Sequence, residues 1–216
     1  MLRKITVALL CVAIAQTGGC NVLGYVGYLM APPERKVTVP ADYENLPGHS
    51  VAVVVFADHA VQFEYPALRL ELGSVITGEL REKVEDVTVV DPRRVVRYQD
   101  QNLYWDSMDK TKLGEKLGAD YVLLVSVIDF RAGRPTGPSE LRGRAVAEAS
   151  LYKTSMPERS ARVRHYDDMR VTYPDEQDEP DARGAANIGY MLQRKLAERI
   201  VRKFHKHKVP ASERSS

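Results

Sequence analysis

The sequence predicts an α/β domain, a single mixed sheet packed by helices, on three observations. The run 51–56 is apolar, β-branched and continuous rather than alternating, as a strand buried on both faces is, and 121–130 is the most apolar strand of the chain. Between them, apolar residues recur at helical spacing. Farther along, 141–152 and 162–173 alternate apolar and polar residues with period two, the pattern of half-exposed antiparallel strands.

Taken in order, 51–56 is the first strand. Pro66 then opens a helix in which Leu68, Leu72, Val75, Ile76, Leu80 and Val84 share one face, with Arg69, Glu71, Glu79, Arg81 and Glu82 mostly elsewhere. Residues 87–90 form a short second strand, stopped by Asp91-Pro92. A polar stretch leads into a second helical pattern through Leu113 and Leu117, with Gly118 where a helix C-cap belongs. The run 121–130 is the most apolar and takes the centre of the sheet. Strand, helix, strand, helix, strand in this order implies right-handed crossovers and parallel pairing.

In 141–152, Ala145, Ala147, Ala149 and Leu151 oppose Arg142, Arg144, Glu148 and Ser150. In 162–173, Val163, Met169, Val171 and Tyr173 oppose Arg162, Arg164, Asp168 and Arg170, although His165 and Asp167 interrupt the apolar face. The acidic stretch 175–181 is a loop, and Ile188, Met191, Leu192, Leu196, Ile200 and Phe204 mark a long closing helix. The order is β-α-β-α-β-β-β-α, with Val53, Val55, Leu72, Ile76, Leu123, Val125, Leu196 and Ile200 expected in one core.

Residues 1–20 have the layout of a lipoprotein-type signal peptide. Arg3 and Lys4 precede an uncharged apolar run at 5–15, then Thr17, Gly18, Gly19 and Cys20. The apolar run is too short for a transmembrane helix, which needs roughly 20 residues. Gly18-Gly19-Cys20 resembles the lipobox of bacterial lipoproteins, whose cysteine is acylated and becomes the new N-terminus, although Thr17 stands where that motif usually carries Leu. The competing cleavage follows Ala13-Ile14-Ala15 and would leave Cys20 as a free thiol. Lipid attachment at Cys20 is favoured because a lone exported thiol is reactive and unpaired. Cys11 leaves with the signal, so neither a disulfide framework nor a thiolate metal cluster is expected. Residues 21–49, with Pro32, Pro33, Pro40 and Pro47, read as a proline-containing tether. Residues 50–208 read as the α/β domain and 209–216 as a disordered tail.

Removing the signal removes Arg3 and Lys4, so the remaining Lys and Arg equal the 29 Asp and Glu. Without a basic excess a nucleic-acid partner is not expected. His205 and His207, two apart on a helix, would point away from each other rather than chelate a metal, and with Arg202, Lys203, Lys206 and Lys208 they read as a cationic last turn. Asp58 and His59 follow the first strand at the carboxyl edge, with Glu64 close behind, where ligands of open α/β sheets bind. No nucleophile motif, phosphate loop or zincin helix accompanies them, so they read as turn residues. The acidic loop lacks the spacing of a calcium loop. No catalytic, metal-binding or cofactor-binding residue, no cofactor and no small-molecule substrate is therefore expected. Arg142, Arg144, Arg162, Arg164 and Arg170 read as one arginine-rich sheet face available for docking.

The phrase Leu117-Gly118-Ala119-Asp120-Tyr121-Val122-Leu123, with this order of elements, resembles the envelope lipoprotein superfamily containing CsgG, LpoB and the N-terminal domain of TolB, in which a helix of this ending feeds the central strand. More narrowly, Ala31-Pro32-Pro33, Pro40-Ala41-Asp42-Tyr43, residues 51–58 and Val90-Asp91-Pro92-Arg93 are similar to stretches of small lipoproteins of planctomycete-type bacteria. The resemblance implies a non-enzymatic envelope component that docks on another protein and is anchored to the membrane through the N-terminal lipid. It does not imply the CsgG pore, which needs added membrane-crossing strands of about 9–11 residues each. Residues 131–140 are short, polar and broken by Pro135 and Pro138.

The alternatives to a docking domain are an auxiliary subunit of an envelope transport or secretion assembly and, more distantly, a hydrolase using Asp58 and His59. Asn21, not Asp, follows the cysteine, so by the enterobacterial sorting rule the expected place is the periplasmic side of the outer rather than the inner membrane.

Overall fold

The computed structural model describes residues 36–132, 143–175 and 187–210, which form two compact units. The smaller comprises 36–38 and 208–210, where β1 (Lys36–Val39) pairs with β7 (His207–Pro210). The larger, 39–207, is a mixed α/β domain around a five-stranded sheet.

The strands of that sheet are β2 (Ser50–Ala57), β3 (Thr88–Val89), β4 (Tyr121–Arg131), β5 (Gly143–Lys153) and β6 (Arg162–Tyr173), in the spatial order β3-β2-β4-β5-β6. β2 runs parallel to β3 and β4, with Val51 opposite Val89 and Tyr121, while β4-β5 and β5-β6 are antiparallel. The parallel half carries the continuous apolar runs because helices cover both its faces. The most apolar run, β4, is the central strand, as expected.

Among the described residues six helices accompany the sheet: α1 (His59–Glu64), α2 (Leu68–Lys83), α3 (Pro92–Gln101), α4 (Lys110–Leu117), α5 (Glu158–Ala161) and α6 (Ile188–Val201). On the first face, Leu72, Ile76 and Leu80 of α2 and Leu192, Leu196 and Ile200 of α6 meet Val53, Val55, Leu123, Val125, Ala147 and Leu151. All eight residues expected in one core are in this cluster. Burying each Leu or Ile there contributes about 1.5–3 kcal/mol relative to exposure. On the second face, Val95 of α3 and Leu113 and Leu117 of α4 pack with Trp105 on Ala52, Val54 and Val122.

Local chemistry sets the helix ends. The carboxylates of Asp91 and Asp109 accept from the backbone N–H of Arg93 and Thr111, capping α3 and α4. Pro92 occupies the first turn of α3, where its missing N–H costs nothing. Gly118 ends α4 at φ +68°, a left-handed cap that glycine adopts without steric cost.

Several expectations change on the structure, among them the tail at 209–216, since β7 takes in Val209 and Pro210. The stretch 21–49 is not tether throughout: Tyr43 and Leu46 are buried in the first-face core, and the backbone N–H groups of Asp42 and Tyr43 donate to the Lys203 carbonyl. The second crossover holds two helices, and the closing helix stops at Val201. A single 3₁₀ turn (Arg202–Phe204) follows, and the chain then enters β7. His205 to Lys208 therefore form no helical last turn.

Candidate functional site

The alternation expected along β6 is broken twice. Ala147 pairs with Met169 but Ala149 with Tyr166, and Leu151 pairs with Arg164 but Tyr152 with Arg162. Each irregularity moves the following residues to the other face. Asp168 sits in the first at φ +47°. In consequence Arg164 leaves the second face. It lies opposite Leu151 on the core side, where its guanidinium covers the Tyr43 ring at 5.4 Å and its Nε donates to the Asp42 carbonyl at 3.2 Å. The interruptions at His165 and Asp167 mark this bulged stretch.

Arg144, Arg162 and Arg170 do share the second face, because their partners Thr172, Tyr152 and Val146 alternate with the core positions of their strands. Arg142 lies outside the described residues, as does Cys20. Arg144, Arg162, His165, Arg170 and Thr172 are all exposed, so among the described residues the second face is open along β6 and at Arg144 of β5, whose Val146 and Ser150 are buried, whereas α2 and α6 cover the first. Arg170 pairs with Asp168 at 2.9 Å and Arg144 approaches Asp129 at 3.7 Å. On the same face the Ser150 hydroxyl is 2.9 Å from His165 Nδ1. Sequence periodicity gives no hint of that pair, since it depends on the bulged register.

At the carboxyl end of β2, the Asp58 carboxylate accepts from the backbone N–H of Val61 at 2.8 Å and caps α1, and His59 is the exposed first residue of that helix. At the other candidate pair, the rings of His205 and His207 lie 5.5 Å apart edge to face. Their Nδ1 atoms are 3.0 and 3.1 Å from the carbonyls of Lys206 and His205. Among the described residues no group of three or more His, Cys, Asp or Glu side chains is arranged to hold a metal ion. Most of the acidic stretch 175–181 lies outside the described residues.

The sequence also gives no sign of a cavity of about 510 Å³ beyond the carboxyl end of β4, between the starts of α2 and α6. Glu64, Tyr65, Glu71, Phe130, Tyr190 and Gln193 line it. The Tyr65 ring meets Phe130 edge to face at 4.9 Å, and its hydroxyl accepts from the Ala132 N–H at 3.0 Å. Burial pushes the Tyr65 phenol up, with the Glu64 and Asp129 carboxylates adding to the shift. Gln193 Nε2 donates to Glu71 Oε2 at 2.9 Å, while its buried Oε1 has no partner.

No helix among the described residues is long and apolar enough to cross a membrane. No family model matches the sequence, and no curated protein does. Among solved structures, the PelC dodecamer from Paraburkholderia phytofirmans overlaps at TM-score 0.44 and 14% identity, over 79% of this chain and 97% of that one. The lipoprotein GNA1162 from Neisseria meningitidis overlaps at TM-score 0.41 and 15% identity, over 69% of this chain and 98% of that one. The hypothetical protein CT253 from Chlamydia trachomatis overlaps at TM-score 0.37 and 14% identity, over 71% and 94%. These are likenesses of coarse fold, and at such scores they bring neither an activity nor a partner to this chain.

Proposed function

We propose that the chain is a non-enzymatic envelope lipoprotein, tethered through Cys20, whose α/β domain docks on another envelope protein through the second face of β5 and β6. The observation that carries the docking reading is the uneven cover of the sheet. Its first face lies under α2 and α6, while on the second Arg144, Arg162, His165 and Arg170 remain exposed on a rigid β scaffold. Exposed ion pairs such as Arg170–Asp168 contribute only about 0–1 kcal/mol, so a partner's carboxylates can replace them at little cost. Arginine also presents a flat, weakly hydrated head on an apolar stem and is enriched in protein interfaces. The tether reading rests on the signal layout and on Cys20 at the end of it.

The test is capture from detergent-solubilised envelope with wild type and the double variant Arg162→Glu, Arg170→Glu. The proposal expects a protein retained by wild type to be lost with the double variant, while both chains stay in the membrane fraction. An unchanged capture pattern would overturn the docking face. Release of Cys20→Ala into the soluble fraction tests the tether separately.

A further inference from the structure

We infer that the cavity between α2 and α6 is a binding site for an alkylammonium group, the head and aliphatic stem found in a lysine side chain or a free primary amine. The walls fit such a stem, since Tyr65, Phe130 and Tyr190 present aromatic surface on which a methylene chain and its cation pack. The polar groups specify the head. Glu64 and Glu71 are carboxylates, which only accept, and Gln193 adds an amide. Its orientation is set by Glu71, because the amide must turn Nε2 toward the carboxylate and so leaves Oε1, another acceptor, unpartnered. Gln193 is 5% exposed and that acceptor is sealed from the cavity, so the contacts open to the ligand are the two carboxylates and the aromatic walls.

The competing ligand is an anion, because the N-termini of α2 and α6 border the cavity. Each helix end carries about half a positive charge, and together they fall short of the two full negative charges of Glu64 and Glu71. The net field therefore favours a cation. This site is separate from the proposed docking face, and either stands if the other falls.

The experiment is calorimetric titration of the whole exported chain with hexylammonium, using hexanol and hexanoate as matched neutral and anionic probes. Saturable binding of hexylammonium is expected, with hexanol about tenfold weaker or worse and hexanoate not binding. Glu71→Gln, and independently the exposed Glu64→Gln, should each weaken hexylammonium by about tenfold while leaving hexanol unchanged. Glu64 takes no part in the Gln193 bond, so its variant stays informative if Glu71→Gln disturbs the fold. N-acetyl-lysine methylamide distinguishes the sources: binding comparable to hexylammonium identifies a lysine side chain, and exclusion of it identifies a free amine. Equal binding of hexylammonium and hexanol, preference for hexanoate, or no saturable binding would each overturn the inference.

Discussion

Asp120 and Ser50 lock together the starts of two neighbouring parallel strands, β4 and β2. The Ser50 N–H and hydroxyl donate to one Asp120 oxygen at 2.8 and 2.7 Å, and the Asp120 N–H donates back to the Ser50 hydroxyl at 2.9 Å. Bonds from the Ser50 backbone and then its side chain hold the Asp120 carboxyl below its usual range. A lowered folded-state value stabilises the fold above the unfolded carboxylate pKa of about 3.9, and the contribution is lost as pH falls through the lowered value. Asp120→Asn should cost about 1 kcal/mol near neutral pH, because the site is exposed. In urea unfolding at a series of pH values, the gap between wild type and variant should close below about pH 4.

The folded unit starts before Ser50. Leu46 is fully buried, and the Tyr43 hydroxyl donates to that of Tyr121 at 2.9 Å, with burial pushing the Tyr43 phenol up to about 12. Leu46→Ala should lower unfolding stability by about 2–5 kcal/mol, and a chain beginning at Ser50 by at least as much. A Ser50 start with the midpoint of the full chain would show that 39–49 adds nothing.

Core packing makes two further demands. Leu123→Ala should cost about 2–5 kcal/mol. Gly114→Ala on α4 would bring its new Cβ to 3.1 Å from Val122 Cγ2 and within 2.2 Å of Thr154 Oγ1, and should cost about 1–3 kcal/mol. Thr154→Ala should recover part of the second loss, since the clash goes with the hydroxyl, although the bond from Thr154 to the Ala119 carbonyl goes too.

The parts of this fold legible in the sequence are those in which one periodicity runs unbroken. Six apolar positions at helical spacing announced α2, and the run at 121–130 announced the central strand. α3 stayed hidden because its buried residues are Val95 and Gln99, and Gln99 does its work by donating to the Val55 carbonyl at 3.0 Å. With Tyr98 half-buried beside them, that face is only one turn long and does not stand out from the polar stretch around it. α1 has only the half-buried Val61 against the core, so it left no apolar stripe either. In the candidate docking face the residue types were legible but the faces were not, because one register shift in β6 carries Arg164 to the core side and a second returns Arg162 to the open one. The cavity was invisible for another reason: its walls come from residues more than a hundred positions apart, Glu64 to Gln193, and no local pattern encodes their meeting.

Docking through the open sheet face is tested most directly by photocrosslinking in the intact envelope, with a benzophenone side chain placed at position 170 on that face or at Arg199, an exposed position of α6. A discrete crosslinked species is expected from position 170, lost when Arg162 is changed to Glu, and none is expected from position 199. Crosslinks from position 199 alone, or from neither position in cells where the protein is membrane-retained, would contradict docking through this face.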